Sequence, residues 1–269
     1  MTLNESVWLG VLQGLTEFLP VSSSGHLVIM QKILGIEESG IAFEIFVHFG
    51  TLLSIIVMFR KDVMELSGSL FRALRSPGNL RRKYMEDKRF RMLSVILLGT
   101  VPAGIVGVLF KSSFERFFDD TNFVGYAFLV TGMILFVTKF AVEKTSEVRS
   151  GRAFIIGAAQ AFAIFPGISR SGSTISAAML SGVSGEEAAR FSFLLAIPAI
   201  GGATLLQLTE LIGNGYGSIN MTVSGAGILS SFLTGSAAIW ILMRIIRRGK
   251  IHYFSWYCFS AGIATLIII

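Results

Sequence analysis

Residues 160 to 174, QAFAIFPGISRSGST, set a single arginine, Arg170, among serines and glycines inside a long apolar run. The setting is a membrane: 52% of the 269 residues are hydrophobic, 15% are charged and the mean hydropathy is +0.69, too little polar surface for a soluble domain of this length. In hydrocarbon a lone cation costs roughly 2.5–3.5 kcal/mol on insertion scales, so Arg170 requires a compensating partner. Its neighbours suit an anion, held by the guanidinium, by the hydroxyls of Ser169, Ser171, Ser173 and Thr174, and by backbone N–H groups freed at Gly167 and Gly172. The period-two alternation of a membrane barrel runs nowhere for long, and 29 glycines with five prolines fit closely packed helices.

The stretch has an echo. A shift of 147 residues lays Gln13 on Gln160, Phe18 on Phe165, Ser22 on Ser169, Ser24 on Ser171 and Gly25 on Gly172, then, without a gap, Gly35 on Gly182, Ala42 on Ala189 and Phe46 on Phe193. An ungapped register of that length argues for an internal duplication, repeat one over about 1–142 and repeat two over about 153–269, in a single membrane domain spanning 1–269.

Charge then orients the chain. The first cation is Lys32, so the first thirty residues lack a basic n-region and are expected to be mature protein. Residues 3–19 and 26–34 are apolar pieces too short to cross, separated by ProValSerSerSer at 20–24. Spans are expected at 41–59, 92–110, 122–142, 191–208, 221–243 and 253–269. A basic loop at 60–91, holding ten Lys or Arg and four acidic residues, and basic boundaries at 139–152 and 244–250 mark the cytoplasmic side. The connection KSSFERFFDDT, 111–121, is an outer loop, and Ser184 to Glu187 has the form of a capping box. Residues 153–183 are too few for two spans and lie between two cytoplasmic segments, so they read as a re-entrant helix-loop-helix. The fold expected is therefore an all-α integral membrane protein of about six transmembrane helices plus two re-entrant helix-loop-helix hairpins, arranged as an inverted-topology repeat. Hairpins entering from opposite faces would bring the two polar turns together. The net charge of +6 is explained by this positive-inside pattern, which excludes nucleic acid as a partner, and the single Cys258 can form no intramolecular disulfide.

The first turn supplies Gln13 and Glu17, four residues apart on one helix face, then Ser22, Ser23, Ser24, Gly25 and His26. With Ser169, Arg170, Ser171, Gly172 and Thr174 from the second turn, the inventory is a carboxylate, an imidazole, a guanidinium and many hydroxyls at a glycine-broken backbone. It suits a phosphate: Arg pairs bidentately with its oxygens, Glu holds Mg²⁺ or Ca²⁺ jointly with it, and His serves as acid, base or nucleophile.

QGLTEFLPVSSSGH at 13–26 and PGISRSGST at 166–174 resemble the paired signatures of the undecaprenyl-diphosphate phosphatases of the bacitracin-resistance type, Glu/Gln-x-x-x-Glu and Pro-Gly-x-Ser-Arg-Ser-x-x-Thr. The resemblance implies hydrolysis of a polyisoprenyl diphosphate to the monophosphate carrier and inorganic phosphate. That reaction recycles the carrier for cell-wall synthesis and confers bacitracin resistance. It also implies a divalent cation as cofactor, a multi-pass position in the bacterial cytoplasmic (inner) membrane, and a site facing the extracytoplasmic side. Glu17 is similar to the family's metal-associated glutamate, with Gln13 where many members carry a second glutamate. His26 and Ser23 match residues proposed as base or nucleophile, with His26 the favoured one. Arg170, Ser169, Ser171 and Thr174 match the phosphate-binding motif, which Ser22, Ser24, Gly25 and Gly172 extend. A homodimer is compatible with the sequence.

Plainer readings stand beside these. Membrane serines and glycines commonly serve packing, Arg170 and Glu17 can clamp the repeats to each other, His48 reads as a hydrogen-bonded structural histidine, and the tryptophans and tyrosines as boundary anchors or packing residues. The alternative function is a secondary transporter or flippase for an anionic lipid or solute, since broken helices in inverted repeats are common in transporters.

Overall fold

The structure is a computed structural model that describes every residue except 35–40, 76, 77, 79, 119, 146, 214–219 and 269. Gly35, the tip of the 209–220 loop and the final residue of the last expected span lie outside the described residues. All regular structure among the described residues is helical: α1 (Leu3–Phe18), α2 (Ser23–Leu34), α3 (Ile41–Met58), α4 (Arg60–Arg75), α5 (Leu80–Glu86), α6 (Lys88–Leu109), α7 (Lys111–Phe118), α8 (Thr121–Val137), α9 (Ser150–Phe162), α10 (Arg170–Leu180), α11 (Gly185–Gly213), α12 (Met221–Arg247) and α13 (Phe254–Ile268). Among the described residues five helical segments are long and apolar enough to cross a membrane: 88–109, 121–140, 185–209, 221–247 and 251–268. A sixth exists if α3 is counted with α4, from which it is bent by 88°. The chain is a multi-pass helical membrane protein.

Two helix-break-helix units stand where the sequence put its polar turns. α1 and α2 flank a break at 19–22, and α9 and α10 flank one at 163–169. Their helices begin at residues 3 and 150, and 23 and 170, each pair separated by the 147 of the sequence register. α1 packs against α12 and α9 against α6, while α3 touches both α11 and α12. The α1 contact is made by small residues four apart. Ser6, Gly10 and Gly14 face Gly227, Ser231 and Gly235, and a Cβ on Gly14 would lie 2.8 Å from the backbone N of Gly235. Gly157 of α9 meets Gly99 of α6 in the same way, its added Cβ 2.9 Å from the Gly99 Cα. In lipid, where hydrophobicity does not drive helices together, such close backbone approach supplies the packing.

Two expectations are corrected. The segment 60–91 is not a loop: α4 and α5 occupy most of it. Val63, Leu66, Leu70 and Ala73 recur at helical spacing beneath its charges, and Val63 and Leu66 pack on the core. Asp62 pairs with Arg190, and α4 lies on α6. The outer connection is likewise helical over α7, whose Phe114 and Phe117 rings sit 4.7 and 5.4 Å from Phe165 in the second break. The breaks are also shorter than the polar runs. Ser23 and Ser24 already belong to α2, and Arg170 opens α10 behind an Ser169 N-cap whose Oγ accepts from Gly172 N at 3.0 Å.

Candidate active site

The C-terminal turn of α1 and the N-termini of α2 and α10 converge on Glu17. Its carboxylate is 8% exposed and accepts three side-chain donors from both hairpins. Gln13 Nε2, one turn earlier on α1, donates to Oε2 at 3.0 Å, Ser23 Oγ donates to the same oxygen at 2.6 Å, and Arg170 Nη2 donates to Oε1. A buried carboxylate is tolerated only when paired and hydrogen-bonded, and this one is both. The expected clamp between repeats therefore exists as an ion pair. It leaves two buried atoms without a hydrogen-bond partner, Arg170 Nη1 and Gln13 Oε1, one a donor and the other an acceptor. Such groups are completed by ordered water or by a bound ligand.

The breaks themselves touch. Gly167, at φ +87°, approaches Gly25 so closely that a Cβ on Gly25 would lie 3.0 Å from the Gly167 Cα, and Gly167 N donates to Ser24 Oγ at 3.4 Å. Ser22 takes the left-handed region at φ 69°, unusual for a side-chain-bearing residue. This turns its carbonyl toward His26, whose Nδ1 lies 2.7 Å from it. A carbonyl only accepts, so Nδ1 carries the proton there, and in the neutral ring Nε2 offers its lone pair. That lone pair meets the Tyr257 hydroxyl at 2.6 Å, with the two rings stacked at 5.7 Å and Phe128 edge-on at 5.1 Å.

Not every expected residue turns toward the same point. Glu17, Ser23, Arg170 and Gln13 form one hydrogen-bonded group, whereas Ser22, Ser24 and His26 form an adjoining one that ends on Tyr257. Ser169 and Ser171 share a hydrogen bond at 3.2 Å, and Ser171 Oγ also donates to Leu19 O at 3.4 Å, tying α10 to the first break. Thr174 points into its own scaffold, donating to Arg170 O at 2.8 Å and sharing a bond with Ser192 Oγ at 2.6 Å. Ser173 Oγ is buried without a partner. His48 bonds through Nδ1 to Glu44 O, one turn back on α3, at 2.8 Å, as a structural histidine does.

Three neighbours escaped the sequence reading. Tyr257 was grouped with boundary and packing aromatics. Thr131 of α8 accepts from Ser169 N and donates to Gly167 O, both at 3.1 Å, and so pins the second break. Ser192 shares a hydrogen bond with Thr174. Each is one of several polar residues in its helix, and neither its type nor its spacing sets it apart in the sequence.

Among the described residues no cluster of three or more His, Cys, Asp or Glu side chains is arranged to hold a metal ion. The oxygens present, those of Glu17, Gln13 Oε1 and Ser23 Oγ, are of the kind a hard divalent cation takes, and Gln13 Oε1 has no other partner. They fit such a cation provided that phosphate oxygens complete its shell.

Fold and site together define a class: a multi-pass helical membrane protein with a charged, hydroxyl-rich centre at the junction of two broken helical hairpins. Within that class the chain belongs to the family described as bacitracin resistance protein BacA, which matches residues 6–264. It is similar to the undecaprenyl-diphosphatase of Korarchaeum cryptofilum, 44% identical over 271 residues that cover 100% of both chains. It is also similar to those of Salinibacter ruber, 40% identical over 97% of each chain, and Desulforapulum autotrophicum, 39% identical over 99% of this chain and 98% of the relative.

Proposed function

We propose that this protein is a membrane phosphatase that hydrolyses undecaprenyl diphosphate to undecaprenyl monophosphate and inorganic phosphate. The observation that carries the reading is the buried, unpartnered Arg170 Nη1 beside a Ser23 whose hydroxyl is bonded to Glu17. A guanidinium nitrogen with no acceptor awaits an anion. A serine within 2.6 Å of a carboxylate has the nucleophile–base geometry of covalent catalysis. Full-length relatives named undecaprenyl-diphosphatase support the identity of the substrate.

In this reading Arg170 holds the terminal phosphate through Nη1 while Nη2 stays on Glu17. Ser23 Oγ attacks the terminal phosphorus, its proton passes to Glu17, and the bond to the bridging oxygen breaks, releasing the prenyl monophosphate. Water then attacks the seryl phosphate, inorganic phosphate leaves, and the proton returns to Ser23. The hydrogen bond from Ser23 to Glu17 favours Ser23 as nucleophile over His26, which is turned to Tyr257. His26 then positions the break through Ser22. Gln13 and, in its ionised form before it takes the Ser23 proton, Glu17 would hold a divalent cation, which would neutralise charge on the diphosphate oxygens.

The site is proposed to open to the extracytoplasmic side, as the family resemblance implies. The protein is proposed to lie in a cell membrane, and one of its relatives comes from an archaeon. A carrier of anionic lipid shares the broken hairpins but leaves the Ser23–Glu17 pair without a role.

The test is phosphate release from undecaprenyl diphosphate by purified protein, with and without chelator, for wild type and for Ser23→Ala, His26→Ala and Glu17→Gln. The expected outcome is chelator-sensitive release by wild type, lost in Ser23→Ala and Glu17→Gln and reduced in His26→Ala. Absence of release from folded wild type would overturn the phosphatase. Full release by Ser23→Ala would return the attack to His26.

A further inference from the structure

α1 has a second working face. Gln13 and Glu17 look into the hairpin junction, whereas Leu12, Leu15 and Leu19 form a stripe along another side of the helix and, with Phe254, wall a groove of about 520 Å³. Arg248 and Lys250, on either side of Gly249 at φ +67°, also line the groove, and Tyr257 borders it as well. Arg244 lies 3.4 Å over the Trp240 ring, Arg247 pairs with Glu186 at 2.6 Å, and Lys250 Nζ lies 6.0 Å from the Tyr253 ring. Arg248 and Lys250 are exposed and, among the described residues, neither pairs with a carboxylate.

We infer that this groove is a binding site for one anionic membrane phospholipid, its phosphate between Arg248 and Lys250 and one acyl chain along the leucine stripe. Charge complementarity selects the headgroup, because two cations without a carboxylate partner, lining an apolar slot, attract a phosphate diester and give a zwitterionic lipid less advantage. The chain is taken by the wall: Leu12, Leu15, Leu19 and Phe254 offer an acyl chain a continuous apolar side. The site is distinct from the Glu17–Arg170 centre but adjoins it, because one ring, Tyr257, lines the groove and holds His26 Nε2.

The test measures lipid retention, not turnover, so it stands whether or not the phosphatase reading does. Native mass spectrometry of the purified protein, supplied with phosphatidylglycerol or phosphatidylcholine of equal chain length, is expected to show one retained phosphatidylglycerol. The double variant Arg248→Gln/Lys250→Gln should lower that retention roughly tenfold or more. Leu15→Trp, which keeps both cations and fills the slot, should lose it too. Equal retention of the two lipids by wild type, or unchanged retention in either variant, would overturn the assignment. Displacement of phosphatidylglycerol by equimolar undecaprenyl monophosphate would also overturn it and give the groove to the prenyl product.

Discussion

Glu17 and Arg170 are 153 residues apart in the chain, yet each is the other's condition for being buried. Removing one partner of such a pair leaves an uncompensated charge, which costs about 3–5 kcal/mol. Arg170→Ala is therefore expected to lose that much stability along with activity, read as a fall in the thermal midpoint in detergent. Adding Glu17→Gln should restore most of the stability and none of the phosphate release, which separates the clamp from the chemistry. At His26 a smaller effect is expected. Tyr257→Phe deletes one hydrogen bond, of about 0.5–1.5 kcal/mol, and frees Nε2 and the ring to turn. Activity should fall up to about tenfold at nearly unchanged stability, and an unaltered rate would show that the orientation of His26 is immaterial. Glu17, Ser23 and Arg170 were legible in the sequence because each is a polar or ionisable residue where lipid penalises one. Tyr257 was not, since a tyrosine in a terminal span has an ordinary use at the membrane boundary.

At the scale of helices, the α1–α12 contact bears most directly on the site, because α1 carries Gln13 and Glu17 while α12 holds it by close approach. Gly14→Leu drives a side chain into the backbone at Ser231 and Gly235 and is expected to abolish recovery of folded protein. Gly225→Ala, on α12 with nothing within 4 Å, is the control and should be neutral or stabilising by up to about 1 kcal/mol. Equal recovery of Gly14→Leu and Gly225→Ala would remove the contact from the account. The hairpins could be placed before any coordinates because their apolar arms are too short to cross a bilayer and their register repeats. α4 and α7 could not, because charge density was weighed above the apolar residues at helical spacing beneath it, Val63 to Ala73 in one and Phe114 with Phe117 in the other.

For the whole molecule, opposed hairpins require the segment joining α4 to α5 and the start of α12 to lie on opposite faces of the membrane. Cys258 is the single cysteine and is fully buried, so introduced thiols can be read against it. A membrane-impermeant maleimide is expected to reach Gly78→Cys in opened or inverted vesicles but not in right-side-out ones, and Thr222→Cys in opened or right-side-out vesicles but not in inverted ones. Reaction of both from one side would overturn the inverted arrangement. The right angle between α3 and α4 has a mechanical corollary. α4 packs on α6 along one side and exposes Met64, Phe71 and Leu74 along another, at 64%, 65% and 72%, while Arg72 and Arg75 stay outside. A helix so divided is expected to lie in the plane of the headgroups, where it would act as an outrigger and set the draught at which the molecule floats. The height of Arg170 above that plane is then fixed by the protein, and in thicker or thinner bilayers it is the surrounding lipid that adjusts.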